Sequence, residues 1–359
     1  MLQHRILGDK PPVRRRPVIA GFPWRRAAAG RPSPLPPTTY PGAVRANCIQ
    51  DGQLVWQEVA DPKPTEHDLL VRVAAAGVNA ADVLQLRGHY PAPQGAPAQI
   101  PGLELAGVVT AVGQAVRRFR VGDRVMALVA GGAHAELAAV DEGSALHVPP
   151  ALDMAAAGGF PEVFITAWDA LFLQAGLRVG ERVLVTGAAG GVGTAAIQLA
   201  SAAGASVTAS SRNPDRLGDL LALGARLALS PEEALARGPF DVILELVGGA
   251  GVAQGLSVLA NRGRIAVIGL GAGRSVELDL SLLMAKRARI FGSTLRARSL
   301  AEKELVTRSV ADHVLPLLES GRVRVQVAAT YPMEAAGQAY AHLSSGGKLG
   351  KIVLTTPAA

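Results

Sequence analysis

A cluster of glycines near the middle of the chain has the spacing of a loop that binds phosphate groups. Val183 to Val185 predicts a short buried parallel strand, and the residues from Val192 onward predict a helix. Between them, glycines would let the backbone turn tightly and approach a pyrophosphate, while the helix would point free N–H groups at that anion. We therefore predict a dinucleotide-binding loop whose members are Gly187, Ala188, Gly190, Gly191, Val192 and Gly193. The spacing is G-x-x-G-x-x-G, so a glycine-rich structural turn is the alternative interpretation.

Three polar residues at the end of the next predicted strand bear on which dinucleotide this loop would hold. About 20 residues past such a loop, NAD-dependent enzymes place an Asp or Glu that hydrogen-bonds the ribose 2′-hydroxyl. Here the chain has Ser210, Ser211 and Arg212, and no carboxylate occurs before Asp215. These groups can hydrogen-bond and neutralise a 2′-phosphate, which a carboxylate would repel. The sequence thus predicts NADPH rather than NADH, with a solvated loop charge as the alternative for Arg212.

Further candidate cofactor contacts lie where later predicted strands end. Ligands of a doubly wound sheet bind outside the carboxyl ends of its strands, and glycines there let a nucleotide approach the backbone. The candidates at these positions are Gly248, Ile268, Gly269, Leu270, Leu295 and Arg296. For Arg296, which follows the last predicted strand, a surface charge is the alternative.

The elements that would position these residues are of two kinds. Around the glycine loop, short apolar strands alternate with helices, which predicts an α/β fold with a doubly wound sheet of six parallel strands. Its other five strands are predicted at residues 206–210, 226–229, 241–247, 264–269 and 289–294. Before it, turn-separated strands predict a partly open β-barrel, at residues 55–59, 68–78, 107–112, 124–129 and 133–140. A helical connector, residues 154–174, joins the two.

The predicted organisation is a sheet domain inserted into a divided barrel domain. Residues 44–162 form the first part of the catalytic domain, residues 163–296 the dinucleotide-binding domain, and residues 297–359 the remainder of the catalytic domain. Residues 1–43 are predicted to be a disordered, basic, proline-rich extension. We expect this extension to be an over-extended reading frame, with translation beginning near Val44. A transit peptide and a twin-arginine signal are the alternatives.

The net charge of +7 comes entirely from that extension. It holds eight Lys or Arg residues and one acid, whereas the rest of the chain has 28 bases and 28 acids. A nucleic-acid-binding protein would carry a basic face, so this balance argues against an RNA partner. No uncharged apolar run of about 18 residues exists, which argues against a membrane partner. The single cysteine, Cys48, excludes a disulfide framework, and we expect a cytoplasmic protein.

Several motifs together resemble one family. They are AAAGVNAADVLQLRGHYP, IPGLELAGVVTAVG, VGDRVMAL, GAAGGVGTAAIQLA and SSGGKLGKIVL, and the resemblance runs from about Ala43 to Leu354. They are similar to the zinc-free quinone oxidoreductase, or zeta-crystallin, branch of the medium-chain dehydrogenase/reductase superfamily. PEVFITAWDAL and FGSTLRAR are most similar to its tumour-suppressor-inducible subgroup. The resemblance implies a Rossmann domain inserted in a GroES-like barrel, and a homodimer joined edge to edge near residues 289–294.

The same resemblance predicts that no catalytic zinc is present. Zinc-dependent members of the superfamily place cysteine, histidine and cysteine ligands at the positions of Asn79, Leu103 and Glu162. Leucine cannot ligate a metal, and an asparagine amide is a poor zinc ligand. Without a Lewis acid, alcohol oxidation loses its main transition-state stabilisation. A substrate that accepts hydride readily, such as a quinone or an activated enone, therefore fits better.

The resemblance also places several residues in a nicotinamide and quinone pocket. Asn79 would hold the ribose or nicotinamide of the cofactor, and the Tyr90 hydroxyl would donate to a quinone oxygen as charge develops there. The alternatives are a helix N-cap for Asn79 and packing on neighbouring prolines for Tyr90. Walls of the cofactor cleft would be Thr166 and Trp168. No role is assigned to three other reactive residues, Glu104, His134 and Cys48.

The sequence therefore predicts NADPH-dependent reduction of quinones by direct hydride transfer. An enoyl or other α,β-unsaturated carbonyl reductase is an alternative of the same class, since hydride addition to a β-carbon needs the same cleft and one proton donor. A non-catalytic NADPH-binding protein, crystallin-like or RNA-binding, is the alternative of a different class.

Overall fold

The structure, a computed structural model, describes residues 43–357. The predictions for residues 1–42 lie outside the described residues, and the expectation that translation begins near Val44 stays a prediction. Across residues 43–357, no helix has both the length and the apolar character that crossing a bilayer requires.

The first third of the described chain forms the barrel. Its elements are β1 (Val44–Gln50), β2 (Gln53–Val59), β3 (Asp68–Val78), α1 (Ala80–Leu86), β4 (Glu104–Val112), β5 (Arg124–Leu128), β6 (Leu137–Asp141) and β7 (Ala145–His147). Along β3, Leu69, Val71 and Val73 are buried in the barrel core while Arg72 is exposed. This long strand is the centre of the barrel, because it pairs antiparallel with both β4 and β6. β1 and β2 form an antiparallel hairpin.

The middle of the chain forms the six-stranded sheet. Its elements are α2 (Met154–Gly158), α3 (Pro161–Trp168), a π-helical turn (Asp169–Gln174), β8 (Arg182–Val185), α4 (Gly191–Ala202), β9 (Ser206–Ser210), α5 (Leu217–Ala222), β10 (Leu227–Leu229), α6 (Pro231–Leu235), β11 (Phe240–Glu245), α7 (Ala250–Ser257), β12 (Leu259–Val267), α8 (Leu280–Lys286) and β13 (Arg289–Gly292). The strand order is β10-β9-β8-β11-β12-β13, and every neighbouring pair is parallel. β8 lies at the centre, so Val183, Leu184 and Val185 are at most 1% exposed.

The last part of the chain returns to the barrel. Its elements are α9 (Leu300–His313), α10 (Leu315–Glu319), β14 (Val327–Pro332), α11 (Ala336–Ser345) and β15 (Lys351–Thr355). β15 pairs antiparallel with β3, so the six-stranded sheet is an insertion between two parts of the barrel. A buried ion pair fixes this return, because Arg298 donates to the two carboxylate oxygens of Asp169 at 3.1 and 2.6 Å.

The predicted fold is confirmed, and the differences are local. The predicted connector helix is wrong as a single helix: Gly159 and Pro161 interrupt it, and its last turn is π-helical. The predicted strand over residues 133–140 begins only at Leu137, since Ala135 forms no more than an isolated bridge with Ala46. β7 and α6 were not predicted, because segments of three and five residues are too short to display a period.

Candidate functional site

The glycine loop between β8 and α4 needs glycine for three separate reasons. Gly187 has a φ of +58°, a left-handed conformation that other residues rarely adopt. A Cβ on Gly193 would lie 2.5 Å from the carbonyl oxygen of Ala188, and a Cβ on Gly191 would lie 2.7 Å from Cδ of Lys351. Gly190 is the N-cap of α4. The loop is therefore folded tightly against its neighbours and leads directly into the 12-residue helix α4.

Two main-chain hydrogen bonds hold this loop between the two parts of the molecule. The amide of Ala188 donates to the carbonyl oxygen of Ser210 at 2.9 Å, and the amide of Gly350 donates to the carbonyl oxygen of Ala189 at 2.8 Å. Ala188 is fully buried beneath the loop, and Val192 packs against the core from the first turn of α4. The loop therefore bridges β9 of the sheet domain and the start of β15 in the barrel.

A cavity of about 770 Å³ opens at the carboxyl ends of β8, β9 and β11. Its volume lies in the range of cofactor and ligand pockets. Six of the predicted cofactor residues line it, namely Gly187, Gly190, Ser210, Ser211, Arg212 and Gly248. The remaining predicted contacts, which are not in its wall, are Thr166, Ala188, Gly191, Val192, Gly193, Ile268, Gly269, Leu270, Leu295 and Arg296. The structure thus brings two groups of predicted cofactor residues together around one cavity: those of the glycine loop and those at the end of β9.

Three cations line the same cavity, and two of them were missed from the sequence. Arg212 is exposed at its rim, and Arg216 and Lys348 join it. Arg216 Nε donates to the carbonyl of Gly347 at 2.9 Å, which ties the loop before β15 to the sheet domain. Burial, together with the nearby charge of Lys351, lowers the pKa of Lys348 to about 8. The cavity therefore has several cationic side chains near the end of β9.

The carboxylate of Glu245, at the end of β11, organises the opposite wall. Its Oε1 accepts hydrogen bonds from Thr186 Oγ1 at 2.9 Å and from the amides of Val247 and Gly248 at 2.7 and 2.8 Å. Gly248 has a φ of +83°, so these bonds hold a turn that favours glycine. One carboxylate oxygen of Glu245 thus holds this turn, while Oε2 is buried without a hydrogen-bond partner in the described part of the chain. The glycine loop, the helix start and the three cations fit a bound dinucleotide.

A second polar group, which we call the Glu104 cluster, lies where the barrel meets the sheet domain. It consists of Asn79, Glu104, Glu162 and Lys351. The ammonium of Lys351 lies 2.6 Å from Oε1 of Glu104, and both side chains are almost completely buried. Lys351 also donates to Asn79 Oδ1 at 2.6 Å, and Asn79 Nδ2 donates to Glu104 at 3.0 Å. The amide of Glu162 donates to the other oxygen of Glu104 at 2.8 Å.

Asn79 occupies the N-cap position of α1, as the alternative interpretation expected. Its backbone amide donates a hydrogen bond to the carboxylate of Asp82 at 2.8 Å. Its side-chain amide, however, is directed at Glu104 and Lys351. A contact between Asn79 and the cofactor stays a prediction. No role was predicted for Glu104, and no local pattern could have paired it with a lysine near the other end of the chain.

Arg296 is not a surface charge, so that interpretation is wrong. Its side chain is buried and donates to the carbonyl of Ala130 at 2.8 Å, to the carbonyl of Tyr90 at 3.1 Å and to Gln85 Oε1 at 2.6 Å. The guanidinium also lies over the Tyr90 ring, 5.3 Å from its centroid. Because β13 ends against the barrel, Arg296 fixes the loop that carries Tyr90. A contact between Arg296 and the cofactor stays a prediction.

Tyr90 is half-buried beside Arg296, and its hydroxyl has no hydrogen-bond partner among residues 43–357. Burial, followed by the nearby charge of Glu162, raises its pKa above the ordinary value of 10.0. The hydroxyl therefore keeps its proton and is available as a hydrogen-bond donor.

Thr166 and Trp168, the predicted cleft walls, both lie in α3. Thr166 is buried. Trp168 Nε1 donates to Ser309 Oγ at 2.9 Å, and its ring stacks on Phe172 and His313. Trp168 thus ties α3 to α9.

Comparisons with known proteins agree with this architecture. Residues 65–174 match the family described as the alcohol dehydrogenase GroES-like domain, and residues 191–311 match the family described as zinc-binding dehydrogenase. Together with the parallel sheet and its glycine loop, these matches define the class: a nicotinamide-dependent oxidoreductase of the medium-chain type.

Individual relatives define the family more closely. The chain is 34% identical over 312 residues to the quinone oxidoreductase of Rattus norvegicus, covering 83% of this chain and 92% of the relative. It is 30% identical to that of Homo sapiens over 311 residues, with the same coverages. The chain belongs to the zinc-independent quinone oxidoreductase branch of the medium-chain dehydrogenase/reductase superfamily.

Two solved structures show how widely this fold is shared. The quinone oxidoreductase of Pseudomonas syringae pv. Tomato DC3000 has a TM-score of 0.78 at 27% identity, over 88% of this chain and 100% of that one. The CurK enoyl reductase has a TM-score of 0.76 at 26% identity, with the same coverages.

Proposed function

We propose that this protein reduces quinones by hydride transfer from NADPH. The observation that carries the cofactor choice is the group of three cations, Arg212, Arg216 and Lys348, around the cavity at the end of β9. A 2′-phosphate gains charge-assisted hydrogen bonds there, and no acidic residue occupies the position that would bind free ribose hydroxyls. The quinone oxidoreductase relatives support the choice of acceptor.

The proposed role of each group of residues follows from its position. A bound dihydronicotinamide supplies the hydride. The glycine loop and the start of α4 hold the pyrophosphate, and the three cations hold the 2′-phosphate. Alignment of two reactants about 3 to 3.5 Å apart contributes roughly 7 to 11 kcal/mol of barrier lowering. Tyr90 adds a hydrogen bond to the acceptor oxygen as negative charge develops on it.

An α,β-unsaturated carbonyl reductase is the second candidate function, because the CurK enoyl reductase shares this fold over 88% of the chain. NADPH oxidation, followed by its absorbance, distinguishes the two when quinones, enones and aldehydes are compared. We expect kcat/KM to be highest for a quinone and aldehydes to be inactive. A preference for enones by tenfold or more would replace the quinone assignment.

Replacing Tyr90 with phenylalanine is expected to lower kcat for quinone by about 10- to 100-fold, because one hydrogen bond to the developing oxyanion is lost. NADPH affinity should be unchanged. Tyr331→Phe is the matched control, since that hydroxyl bonds His342. Equal turnover in Tyr90→Phe and the unaltered protein would mean that Tyr90 only packs against Arg296.

NADPH affinity is expected to weaken as the pH rises through about 8, where Lys348 loses its proton. The lowered pKa means that the ammonium form, which attracts phosphate, predominates below this pH and disappears above it. The dissociation constant should rise by up to about tenfold per pH unit in the alkaline range. In Lys348→Arg, which stays charged, the profile should be flat. An identical slope in both proteins would assign the effect to another group.

A further inference from the structure

We propose that Glu162 is the proton donor of this reductase, delivering to the reduced acceptor the proton that accompanies the hydride. The inference rests on the proposed function and adds a catalytic residue to it.

The position of Glu162 is fixed by its main chain while its carboxyl group stays free. Glu162 is the second residue of α3, after Pro161, and its amide is bonded to Glu104 in the Glu104 cluster. The carboxylate of Glu104 itself forms an ion pair with Lys351 and accepts a hydrogen bond from Asn79. The Glu162 side chain is partly exposed, and among residues 43–357 its carboxylate has no hydrogen bond or ion pair. It is thus the one carboxyl group of this cluster that is exposed to solvent.

The surroundings of Glu162 favour a neutral acid. Burial is the main cause, and the negative charge of Glu104 is the next, so the pKa of Glu162 rises to about 8. The positive charges of Lys351 and Arg296 lower the pKa of Glu162 and so offset part of this rise. The charged and titratable groups that interact with Glu162 are Asp82, Tyr90, Glu104, Arg296, Lys303 and Lys351. At neutral pH the carboxyl group therefore holds a proton, as a general acid must.

The other acids near the cluster are less suited to the role. His134 is fully buried, with one ring nitrogen 3.3 Å from the Gly77 carbonyl and the other 3.0 Å from the Tyr340 hydroxyl. Asp82 is fully buried and accepts from the amides of Asn79 and Gly102. Tyr90 has a pKa raised above 10.0, which makes it a hydrogen-bond donor and a poor source of protons.

A bound dihydronicotinamide would supply two electrons and one hydrogen as hydride, which would bond to one oxygen of the quinone acceptor. Its remaining oxygen anion then takes the proton of Glu162, so the carboxyl O–H bond breaks and a new O–H bond forms. The products are the hydroquinone, the oxidised nicotinamide and the Glu162 carboxylate. Water at the exposed side of Glu162 restores the proton.

The test compares Glu162→Gln, Glu162→Asp and the control Glu319→Gln, an exposed glutamate on α10. In the unaltered protein, kcat with quinone should fall as the pH rises above about 8, because the acid form is lost. Glu162→Gln should lower kcat at pH 7 by about 100-fold or more and abolish this alkaline limb. Glu162→Asp should keep a limb at a shifted pH, and Glu319→Gln should match the unaltered protein.

A second readout needs neither cofactor nor substrate. Infrared spectra of the cofactor-free protein should contain a protonated carboxyl band that titrates near pH 8 and is missing in Glu162→Gln. Melting temperature and NADPH binding of that variant verify that it is folded. Quinone reduction by the unaltered protein, with an unchanged pH profile in Glu162→Gln, would overturn this inference alone. Absence of quinone-dependent NADPH oxidation in the unaltered protein would overturn the proposed function and this inference with it.

Discussion

Replacing Glu104 with glutamine is expected to lower the free energy of unfolding by about 3 to 5 kcal/mol, because the ammonium of Lys351 then stays buried without a counter-charge. Lys351 is 4% exposed, and it lies beneath the glycine loop, where its Cδ limits the space beside Gly191. Its other contacts are the uncharged oxygens of Val78 and Asn79. Urea denaturation of the two proteins at pH 7 measures the difference.

Two further variants separate the lost charge from lost packing. The double variant Glu104→Leu with Lys351→Met should recover most of the stability, since an apolar pair of similar size can replace a buried ion pair. Glu304→Gln removes one side of the exposed Glu304–Arg308 pair in α9 and should cost less than about 1 kcal/mol. A loss below about 1 kcal/mol in Glu104→Gln would mean that the ion pair contributes little to the fold.

Replacing Arg212 with alanine is expected to weaken NADPH binding by about 10- to 100-fold while leaving NADH binding almost unchanged. A charge-assisted contact to phosphate contributes on the order of 1.5 to 3 kcal/mol, and NADH has no 2′-phosphate to lose. Arg212 is exposed at the cavity rim, so its removal should not disturb the fold. Adding Arg216→Ala should enlarge the loss for NADPH. Quenching of tryptophan fluorescence gives the dissociation constants of both cofactors.

The matched control for this prediction is Arg226→Ala. Arg226 is also an exposed arginine of the sheet domain, but it lies outside the cavity wall. Its removal changes the net charge equally and should leave both affinities as they are. Equal losses of NADH and NADPH affinity in Arg212→Ala would instead place Arg212 at the shared pyrophosphate or in the fold. In that case the choice of NADPH would lose its main support.

Local pattern was sufficient for most of the fold. The strand and helix around the glycine loop, the six-stranded sheet and most barrel strands were predicted, because burial and backbone conformation impose a period on neighbouring residues. The division of the barrel around that sheet was implied by the family resemblance. The glycines needed at Gly187 and Gly193 follow from the same local demands, a left-handed φ and a close backbone approach. The elements that escaped prediction, such as β7 and α6, are too short for a period.

The sequence by itself determined the family, the fold and the glycine loop, because each of these depends on residues that are close along the chain. Only the tertiary structure decided which charges meet. Arg296 and Gln85 are separated by 211 positions, and Lys351 and Asn79 by 272. Such pairs leave no periodic trace, since a buried charge is tolerated only where the fold brings a partner to it. The contacts of Glu104, Glu162 and Lys348 therefore depend on the tertiary structure, in which β15 lies between the barrel and the glycine loop.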